Sequence, residues 1–301
     1  MSALRVLPTV ADALARGAPV VALESSVLSQ GLPVPSNREA ASLMLLAVQA
    51  AGALPAITAV VRGVCTFGLE EEELDRFLWR EGIRKVSARD LAVAMAQRAD
   101  GATTVAASLC IAGATSAKVF STGGIGGVHR EAPYDESADL VELARTPMVV
   151  VCSGAKSILD LPATVERLET LGVTVVGYRT DEFPGFFTDA TGLKLTARVE
   201  TPAEIAAVYR ASRALGRPGA ILVVQPPPPD VALPQTLVDR AVARALDEAR
   251  QSGIRGAALT PFLLTAVTHA TMGRSLRANL GLLEQNAALA GAVAVALSST
   301  D

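Results

Sequence analysis

Lysine is scarce in this chain of 301 residues, although positive charge is not. Among its 27 lysine and arginine residues, only four are lysine: Lys85, Lys118, Lys156 and Lys194. An amine can lose its proton and attack a carbonyl group, whereas a guanidinium cannot. A lysine retained in an arginine-rich chain can therefore stand where arginine cannot replace it. We interpret Lys118 and Lys194 as ordinary residues, which leaves Lys85 and Lys156 as candidates.

Cysteine and histidine are scarce as well. The three cysteines lie far apart and form neither a CxxC pair nor an even-numbered framework, which is typical of a reduced, cytoplasmic protein. His129 has only His269 as a possible histidine partner, so it is unsupported as a metal ligand. A net charge of −3 argues against nucleic acid as a partner. The N-terminus lacks the sustained apolar core of a secretory signal.

The uncharged stretch Ala40–Val61 has 22 residues, the length of a membrane span. Gln49 and Gly52 interrupt it, and Pro55 would end a helix. The pattern therefore predicts a helix, a turn and a buried strand, with no membrane as a partner.

Short apolar runs alternate with amphipathic segments, which predicts an α/β fold with a mostly parallel sheet. Strands are expected at Val20–Leu23, Ile57–Val61, Lys118–Ser121, Met148–Cys152, Val173–Tyr178 and Ala220–Val224. After the proline run at 226–229 the chain is predicted to be helical, through Gln235–Gln251, Pro261–Ala270 and Ser275–Leu297. The C-terminal third is therefore a helical region. In such folds ligands gather at the carboxyl ends of the strands.

Glu24 directly follows the predicted strand Val20–Leu23. A carboxyl group there is partly removed from water and holds its proton more readily, which suits a general acid or base. A structural, hydrogen-bonded carboxylate is an equally good interpretation.

Lys85 lies close to Arg84 and Arg89 in the segment REGIRKVSARD. A cluster of cations commonly binds phosphate. A charged turn in solvent is the alternative, and composition alone favours it.

The glycine-rich segment STGGIGGVHREAPYDESADL follows the predicted strand Lys118–Ser121. Its spacing matches neither the dinucleotide-binding motif nor the P-loop, but its backbone amides can still face an anion. Asp135, Ser137 and Asp139 precede a predicted helix, Asp139–Arg145. Ser137 or Asp139 can serve as its N-cap, or one carboxylate and several waters can hold a divalent ion here.

Lys156 follows the buried run Met148–Cys152 and the small residues Ser-Gly-Ala. We expect a helix from Ser157 to Leu171, so that Lys156 stands at its N-terminus, where the helix dipole opposes a cation. Such an amine should lose its proton more readily and be a better nucleophile. A side chain that extends into solvent is the alternative. The small residues before Lys156 leave room for a substrate.

Six segments in chain order resemble the pattern of the pseudouridine-5'-phosphate glycosidase family, also called the indigoidine synthase A-like family. They are ALESSVLSQGLPVPSN, KVSARD, GATTVA, STGGIGGVHREAPYDESADLVEL, VCSGAKSILD and LTPFLL. The resemblance covers nearly the whole chain, so we expect residues 1–301 to form a single domain of this family.

The resemblance implies a three-layer α/β/α fold, a manganese-dependent enzyme (other divalent ions are possible) and a homotrimer. It also implies reversible cleavage of pseudouridine 5'-phosphate into uracil and ribose 5-phosphate. By matching positions, Lys156 would be the nucleophile that forms a covalent adduct with ribose C1′, and Glu24 would be the proton donor. Asp135 would carry the metal, and the expected substrate contacts are Lys85, Val105, Ser137, Ala138 and Asp139.

The chemistry of this reaction explains the residue types. Ordinary glycosidases protonate a leaving oxygen, but the bond cleaved here joins two carbons and offers no lone pair. An amine that opens the sugar as an imine, with an acid that protonates the departing carbon, meets this need. The alternatives are a lysine-imine lyase acting on another sugar phosphate and a non-catalytic protein that binds a sugar phosphate or nucleotide.

The chain departs from the family pattern at a few positions. Gln30 stands where histidine is common, and Gln225 opens a segment that usually reads Asn-Pro-x-Pro. The loop from Arg130 to Asp135 is shorter than usual. These departures bear on base recognition and metal geometry, and they leave Lys156 and Glu24 untouched.

Overall fold

Short, mostly apolar runs of the chain form the strands of an eleven-stranded sheet. The molecule is described by a computed structural model over residues 3–130, 134–254 and 259–299. In chain order the strands are β1 (Leu4–Val6), β2 (Val20–Leu23), β3 (Leu54–Val61), β4 (Val64–Phe67), β5 (Ile83–Val86), β6 (Asp100–Thr103), β7 (Val119–Ser121), β8 (Val149–Cys152), β9 (Thr174–Tyr178), β10 (Arg198–Val199) and β11 (Ile221–Val224).

Helices connect most of these strands, and several begin at a side-chain cap. Thr104, Asp160 and Thr201 each accept a hydrogen bond from a backbone amide in the first turn that follows. The helices are α1 (Pro8–Ala15), α2 (Ser36–Ala50), α3 (Glu71–Trp79), α4 (Leu91–Ala96), α5 (Val105–Gly113), α6 (Ala138–Arg145), α7 (Leu161–Thr170), α8 (Pro202–Ala214), α9 (Gln235–Gln251), α10 (Leu259–Ala270) and α11 (Arg274–Ser298).

The sheet is mostly parallel, as predicted. Its strand order is β1–β4–β3–β2–β7–β8–β11–β9–β10, with β6 paired to β3 and β5 paired to β6. Among the described pairs, only β3 with β4 and β3 with β6 are antiparallel. Every residue of β2, β8 and β11 is buried, which is why these strands are continuous apolar runs rather than alternating ones.

Helices cover both faces of the sheet and give the three-layer α/β/α architecture that the resemblance implies. On one face α11 packs against α2 and α8 and contacts β2, β7 and β8. On the other face α6 contacts both α5 and α7. This division follows from right-handed crossovers, because β2–α2–β3 moves one way along the sheet and β7–α6–β8 moves the other way.

The C-terminal third is helical, as predicted, and its last helix is part of the core. Within the described residues, α11 is the one helix long and apolar enough to cross a membrane, and 56% of its most apolar window is buried inside the protein. Packing on α2 and the sheet accounts for this apolar surface. The uncharged stretch Ala40–Val61 is a helix followed by a strand, α2 and β3, which confirms that prediction.

Two aspects of local structure differ from expectation. The helix expected from Ser157 begins instead at Leu161, because the amide of Asp160 pairs with the carbonyl of Val128 and its side chain caps the helix. Five short strands had no predicted counterpart: β1, β4, β5, β6 and β10. Charged residues such as Arg84 and Asp100 lie within them and hide the strand pattern.

Candidate active site

The strand order reverses between β2 and β7, which leaves a crevice at their carboxyl ends. The chain leaves β2 toward β3 on one side and leaves β7 toward β8 on the other. Ligands of open α/β sheets bind at such a switch point. Leu23 pairs with Ser121, and Ser121 pairs with Val151. The segments that follow these three strands therefore lie side by side.

Glu24 is almost completely buried at this crevice, with 4% of its surface exposed. The hydroxyl of Ser26 donates a 2.7 Å hydrogen bond to Oε2, and the hydroxyl of Thr122 donates to Oε1. Thr122 reaches the carboxyl group because it follows β7, the neighbour of β2. Two hydroxyls thus hold this side chain in one orientation. This arrangement agrees with both interpretations of Glu24, a general acid and a structural carboxylate.

The loops that follow β7 and β8 continue the pairing of their strands. The amide of Ile125 donates to the carbonyl of Gly154 at 3.0 Å, and the amide of Lys156 donates to the carbonyl of Ile125 at 3.1 Å. Gly154 has a φ of +77°, and a Cβ there would lie 2.1 Å from the carbonyl oxygen of Pro184. Close backbone packing therefore requires glycine before Lys156.

Lys156 does not stand at a helix N-terminus, so the expected opposition of the helix dipole was wrong. α7 starts at Leu161, and the carboxylate of Asp160 accepts a 3.0 Å hydrogen bond from the amide of Ala163. That acidic cap occupies the place that we had expected Lys156 to take. The lysine side chain is half-buried and lines the crevice together with Glu24 and Lys85.

Lys85 belongs to the same crevice rather than to a turn in solvent. Its neighbours point elsewhere: Arg84 donates to Gln97, and Arg89 is exposed. Lys85 has substantial surface open to water, and it also lines the crevice. Burial first, and then the nearby Lys156 ammonium, lower the pKa of Lys85, while Glu24 and Asp139 act in the opposite direction.

Asp139 holds two loops together behind the crevice. Its Oδ1 accepts a 2.9 Å hydrogen bond from the amide of Ala106, and its Oδ2 accepts a 2.8 Å bond from the amide of Gly126. Ser137 caps α6 by accepting from the amide of Asp139 at 3.2 Å. A Cβ on Gly126 would lie 2.3 Å from the Ser137 hydroxyl, so the glycine allows this close approach.

Val105 and Ala138 are the first residues of α5 and α6, and Val105 is fully buried. With Ser137 and Asp139 they lie around the N-termini of the two helices and outside the lining of the crevice. Their assignment as substrate contacts stays a prediction. Lys85, by contrast, lines the crevice.

Asp135 lies next to His129, whose amide donates a 2.9 Å hydrogen bond to the carbonyl of Asp135. Burial lowers the pKa of His129, as do Lys156 and Lys85, whereas Asp135 raises it. The Asp135 carboxylate is half-buried and accepts no hydrogen bond from residues 3–130, 134–254 or 259–299. The intervening residues 131–133 of the predicted metal loop lie outside the described residues.

A divalent ion fits this single free carboxylate but no larger ligand set. Groups of three or more histidine, cysteine or acidic side chains that could hold a metal do not occur in the described part of the chain. Each carboxylate oxygen of Asp139 already accepts a hydrogen bond from a backbone amide. One carboxylate with several waters is a common way to hold a small hard cation.

Several residues in the crevice were not anticipated from the sequence. The crevice has about 540 Å³ of open space, mouth included. Besides Glu24, Lys85, Lys156 and Gln30, it is lined by Ser26, Phe186, Leu264 and Asn279. One signal could have revealed the last of these. Asn279 and Asn286 interrupt the apolar stripe of α11 on the same face.

Gln225 lies outside this lining and supports the site from behind. Its Nε2 donates to Oδ1 of Asn286 at 2.9 Å, and its Oε1 accepts from Gln285 at 2.9 Å. Gln225 and Asn286 are both buried. The departure from the family pattern at Gln225 is therefore accommodated in a hydrogen-bond network that does not line the crevice.

Comparison with known proteins adds an independent observation. Residues 9–296 match the family model described as indigoidine synthase A like protein. A pseudouridine-5'-phosphate glycosidase from Gemmatimonas aurantiaca is 64% identical over 293 residues, which are 97% of this chain and 96% of that protein. A protein of the same name from Herpetosiphon aurantiacus is 49% identical and covers 99% of both chains.

Two solved structures have the same fold over almost the entire chain. The prealnumycin C-glycosynthase AlnA in complex with ribulose 5-phosphate has a TM-score of 0.91 and 40% identity, covering 98% of this chain and 97% of its own. An indigoidine synthase A-like protein from Thermotoga maritima has a TM-score of 0.90 and 33% identity, covering 99% and 98%. The chain belongs to the indigoidine synthase A-like family, also known as the pseudouridine-5'-phosphate glycosidase family.

Proposed function

We propose that this protein reversibly cleaves the C-glycosidic bond of pseudouridine 5'-phosphate to give uracil and ribose 5-phosphate. One observation carries the proposal. Lys156 and Glu24 line the same crevice at the switch point of the sheet, with Lys85 beside them. The names and high identity of the relatives support the same activity.

The set of charged groups in the crevice favours an amine nucleophile over ordinary glycoside hydrolysis. Glu24 is the one carboxylate among the described residues that line it. Ordinary glycosidases need two carboxylates that flank the scissile bond. A lysine with one acid suits the cleavage of a carbon–carbon bond instead, because the amine provides the covalent intermediate.

Lys156 acts first in the cleavage direction. Its Nζ forms a bond to C1′ of the sugar while the bond from C1′ to the ring oxygen breaks, and that oxygen takes up a proton. The nitrogen lone pair then forms a C=N bond as the bond between C1′ and C5 of the base breaks. Water hydrolyses the resulting imine, which releases ribose 5-phosphate and restores the amine.

Glu24 supplies the proton that C5 of the base needs when this bond breaks. Its carboxyl group is held by Ser26 and Thr122 and is shielded from water, so it is oriented before the substrate binds. Lys85 neutralises part of the phosphate charge from the other side of the crevice.

Mn²⁺ or a similar divalent ion is proposed as the cofactor, held by Asp135 and water. Such an ion would supply positive charge for anionic oxygens of the substrate. Asp135→Asn should raise the Mn²⁺ concentration needed for half-maximal activity about 10- to 100-fold. Glu136→Gln is the matched control, because Glu136 already pairs with Arg167 at 2.8 Å. An equal Mn²⁺ requirement in both variants would contradict the role of Asp135.

The activity is tested by uracil release from pseudouridine 5'-phosphate in the presence of Mn²⁺. We expect release by the wild type and by Lys118→Ala, whose lysine lies at the opposite end of the sheet. Lys156→Ala should release none while keeping its thermal stability. Borohydride reduction of wild type incubated with ribose 5-phosphate should leave a stable adduct on Lys156.

Other outcomes would change the proposal. Equal release by Lys156→Ala and the wild type would keep the activity but exclude Lys156 as the nucleophile. An adduct with ribose 5-phosphate but no uracil release would favour a lyase that acts on another sugar phosphate.

We also infer that the protein is a homotrimer in the cytoplasm. Light scattering of the purified protein tests the trimer.

A further inference from the structure

A second cavity adjoins the crevice, and we call it the annex. It has about 890 Å³ of open space, mouth included. Four residues line both cavities: Gln30, Gly31, Leu264 and Asn279. The annex continues from there along Arg80, and it contains none of Glu24, Lys85 and Lys156.

Three side chains of the annex have buried polar atoms without a hydrogen-bond partner in the described residues. These atoms are Oε1 of Gln30, Nε and Nη2 of Arg80, and Oδ1 of Asn279. Buried polar groups of native proteins are nearly always paired. Three such groups around one cavity indicate a ligand that offers both hydrogen-bond donors and acceptors.

Arg80 lines the annex in a backbone conformation that is unfavourable for arginine. It ends α3 with a φ of +69°, a left-handed conformation that is uncommon for a residue with a Cβ. Burial also lowers the pKa of Arg80. The one cation within α3, Arg76, is instead paired with Asp100. Arg80 lines the annex, and two nitrogens of its donor-only guanidinium have no hydrogen-bond partner among the described residues.

The direction in which a substrate lies follows from the charges. The phosphate belongs beside Lys85, and C1′ of the sugar belongs at Lys156. We then place the base toward Gln30 and Asn279, where Phe186 and Leu264 supply apolar surface for its ring. A dioxopyrimidine presents alternating carbonyl and N–H groups along its edge, which match one guanidinium and two amide oxygens.

We propose that Arg80 determines base specificity by donating a hydrogen bond to a ring carbonyl oxygen, while Gln30 accepts from a ring N–H. This inference rests on the proposed function and names the base-recognising residues of the same site. Nε2 of Gln30 donates a 3.4 Å hydrogen bond to the carbonyl of Ile83, while its Oε1 has no partner among the described residues and can accept from a ligand.

The test uses the condensation direction, with ribose 5-phosphate, uracil and Mn²⁺. Arg80→Met should raise KM for uracil, or lower kcat/KM for uracil, about 10- to 100-fold, as expected for the loss of a hydrogen bond to a charged group. KM for ribose 5-phosphate should stay within about twofold. Arg16→Met, which changes an exposed arginine of the N-terminal region, should alter neither value.

Thio-substituted bases provide a test that does not depend on the folding of a variant. Sulfur is a poorer acceptor than oxygen, so 2-thiouracil or 4-thiouracil should be a weaker acceptor substrate for the wild type. The Arg80→Met variant should use uracil and the thio-base that the wild type disfavours equally well, because the guanidinium donor has been removed. Arg80→Lys should restore part of the discrimination, since the ammonium can donate but lacks the planar fork.

The outcomes separate this inference from the proposed function. Normal condensation by Arg80→Met with an unchanged KM for uracil would overturn the role of Arg80 alone. A rise in KM for ribose 5-phosphate instead of uracil would also overturn it, because Arg80 would then serve the phosphate. If the wild type gives neither condensation nor a borohydride-trapped adduct, the proposed function fails and this inference fails with it.

Discussion

Asn286 of α11 donates a 2.9 Å hydrogen bond from Nδ2 to the backbone carbonyl of Thr122, 164 positions earlier in the chain. The hydroxyl of Thr122 in turn donates to Glu24. Asn286 also bonds to Ser153, which follows β8. The C-terminal helix therefore joins the two segments that follow β7 and β8 and that contain Thr122 and Lys156.

Replacement of Asn286 by alanine should destabilise the fold and reduce turnover. The backbone carbonyl of Thr122 and the side-chain Nε2 of Gln225 would lose their buried partner. We expect the free energy of unfolding to fall by about 1–3 kcal/mol, measured by urea denaturation, with a lower kcat. Ser298→Ala on the same helix removes only a local bond to Val295 and should change stability by less than about 0.5 kcal/mol. Equal effects of the two substitutions would refute the bridging role.

Thr122→Val should act on the chemistry more than on binding. The substitution keeps the shape of the side chain but removes the hydroxyl that holds Oε1 of Glu24. We expect kcat for uracil release to fall about tenfold with little change in KM, because a hydrogen bond to an acidic group is lost. The control is Thr170→Val, which removes an exposed hydroxyl that bonds within α7. A kcat for Thr122→Val that equals the control would mean that Ser26 alone orients Glu24.

Gly154 should tolerate no side chain, and Gly192 provides a matched comparison. Both have a φ of +77°, but a Cβ meets the Pro184 carbonyl at 2.1 Å in the first case and nothing within 4 Å in the second. Gly192→Ala should lower the free energy of unfolding by about 1–2 kcal/mol, the cost of a left-handed backbone. Gly154→Ala should cost clearly more and reduce uracil release, because the backbone before Lys156 must move. Equal losses in urea denaturation would argue against the clash.

The pH dependence of substrate binding should reveal Lys85. Burial and Lys156 lower the pKa of Lys85, so this side chain loses its charge at a lower pH than an ordinary lysine. The phosphate group, with a second pKa of about 6, stays fully charged on the alkaline side. KM for pseudouridine 5'-phosphate should therefore rise as pH increases through the lowered pKa of Lys85.

Lys85→Arg is the comparison for this titration. Arginine stays charged throughout the range, so the alkaline rise in KM should disappear in this variant. A KM that rises equally in both proteins would assign the titration to another group. A flat KM in the wild type would mean that Lys85 does not contact the phosphate.

Elements with a strong local signal could be predicted from the sequence. The strand Val20–Leu23 and the helix Gln235–Gln251 have the predicted bounds, because a buried apolar run and a 3.6-residue period are local properties. The strand Ile83–Val86 could not be predicted in this way. Its charged residues Arg84 and Lys85 hide the pattern, and only its pairing with β6 makes it a strand.

The residues of the site likewise divide into those that the sequence could place and those that it could not. Glu24 and Lys156 each follow an apolar strand, so the sequence alone could place both at the same edge of the sheet. The helix after Lys156 was misplaced because Ser157–Leu159 have no local feature that excludes a helix. Only the contact between Asp160 and Val128, from a different loop, moves its start to Leu161.

The sequence by itself determined the fold class, the family and the residues able to carry the chemistry, because these depend on composition, periodicity and motif. Tertiary structure alone decided which groups meet. Thr122 reaches Glu24 through strand register, and Asn286 reaches the carbonyl of Thr122 from α11. Two buried nitrogens of Arg80 beside the annex have no partner among the described residues. Such relationships join residues far apart in the chain, and no local preference encodes the distance between them.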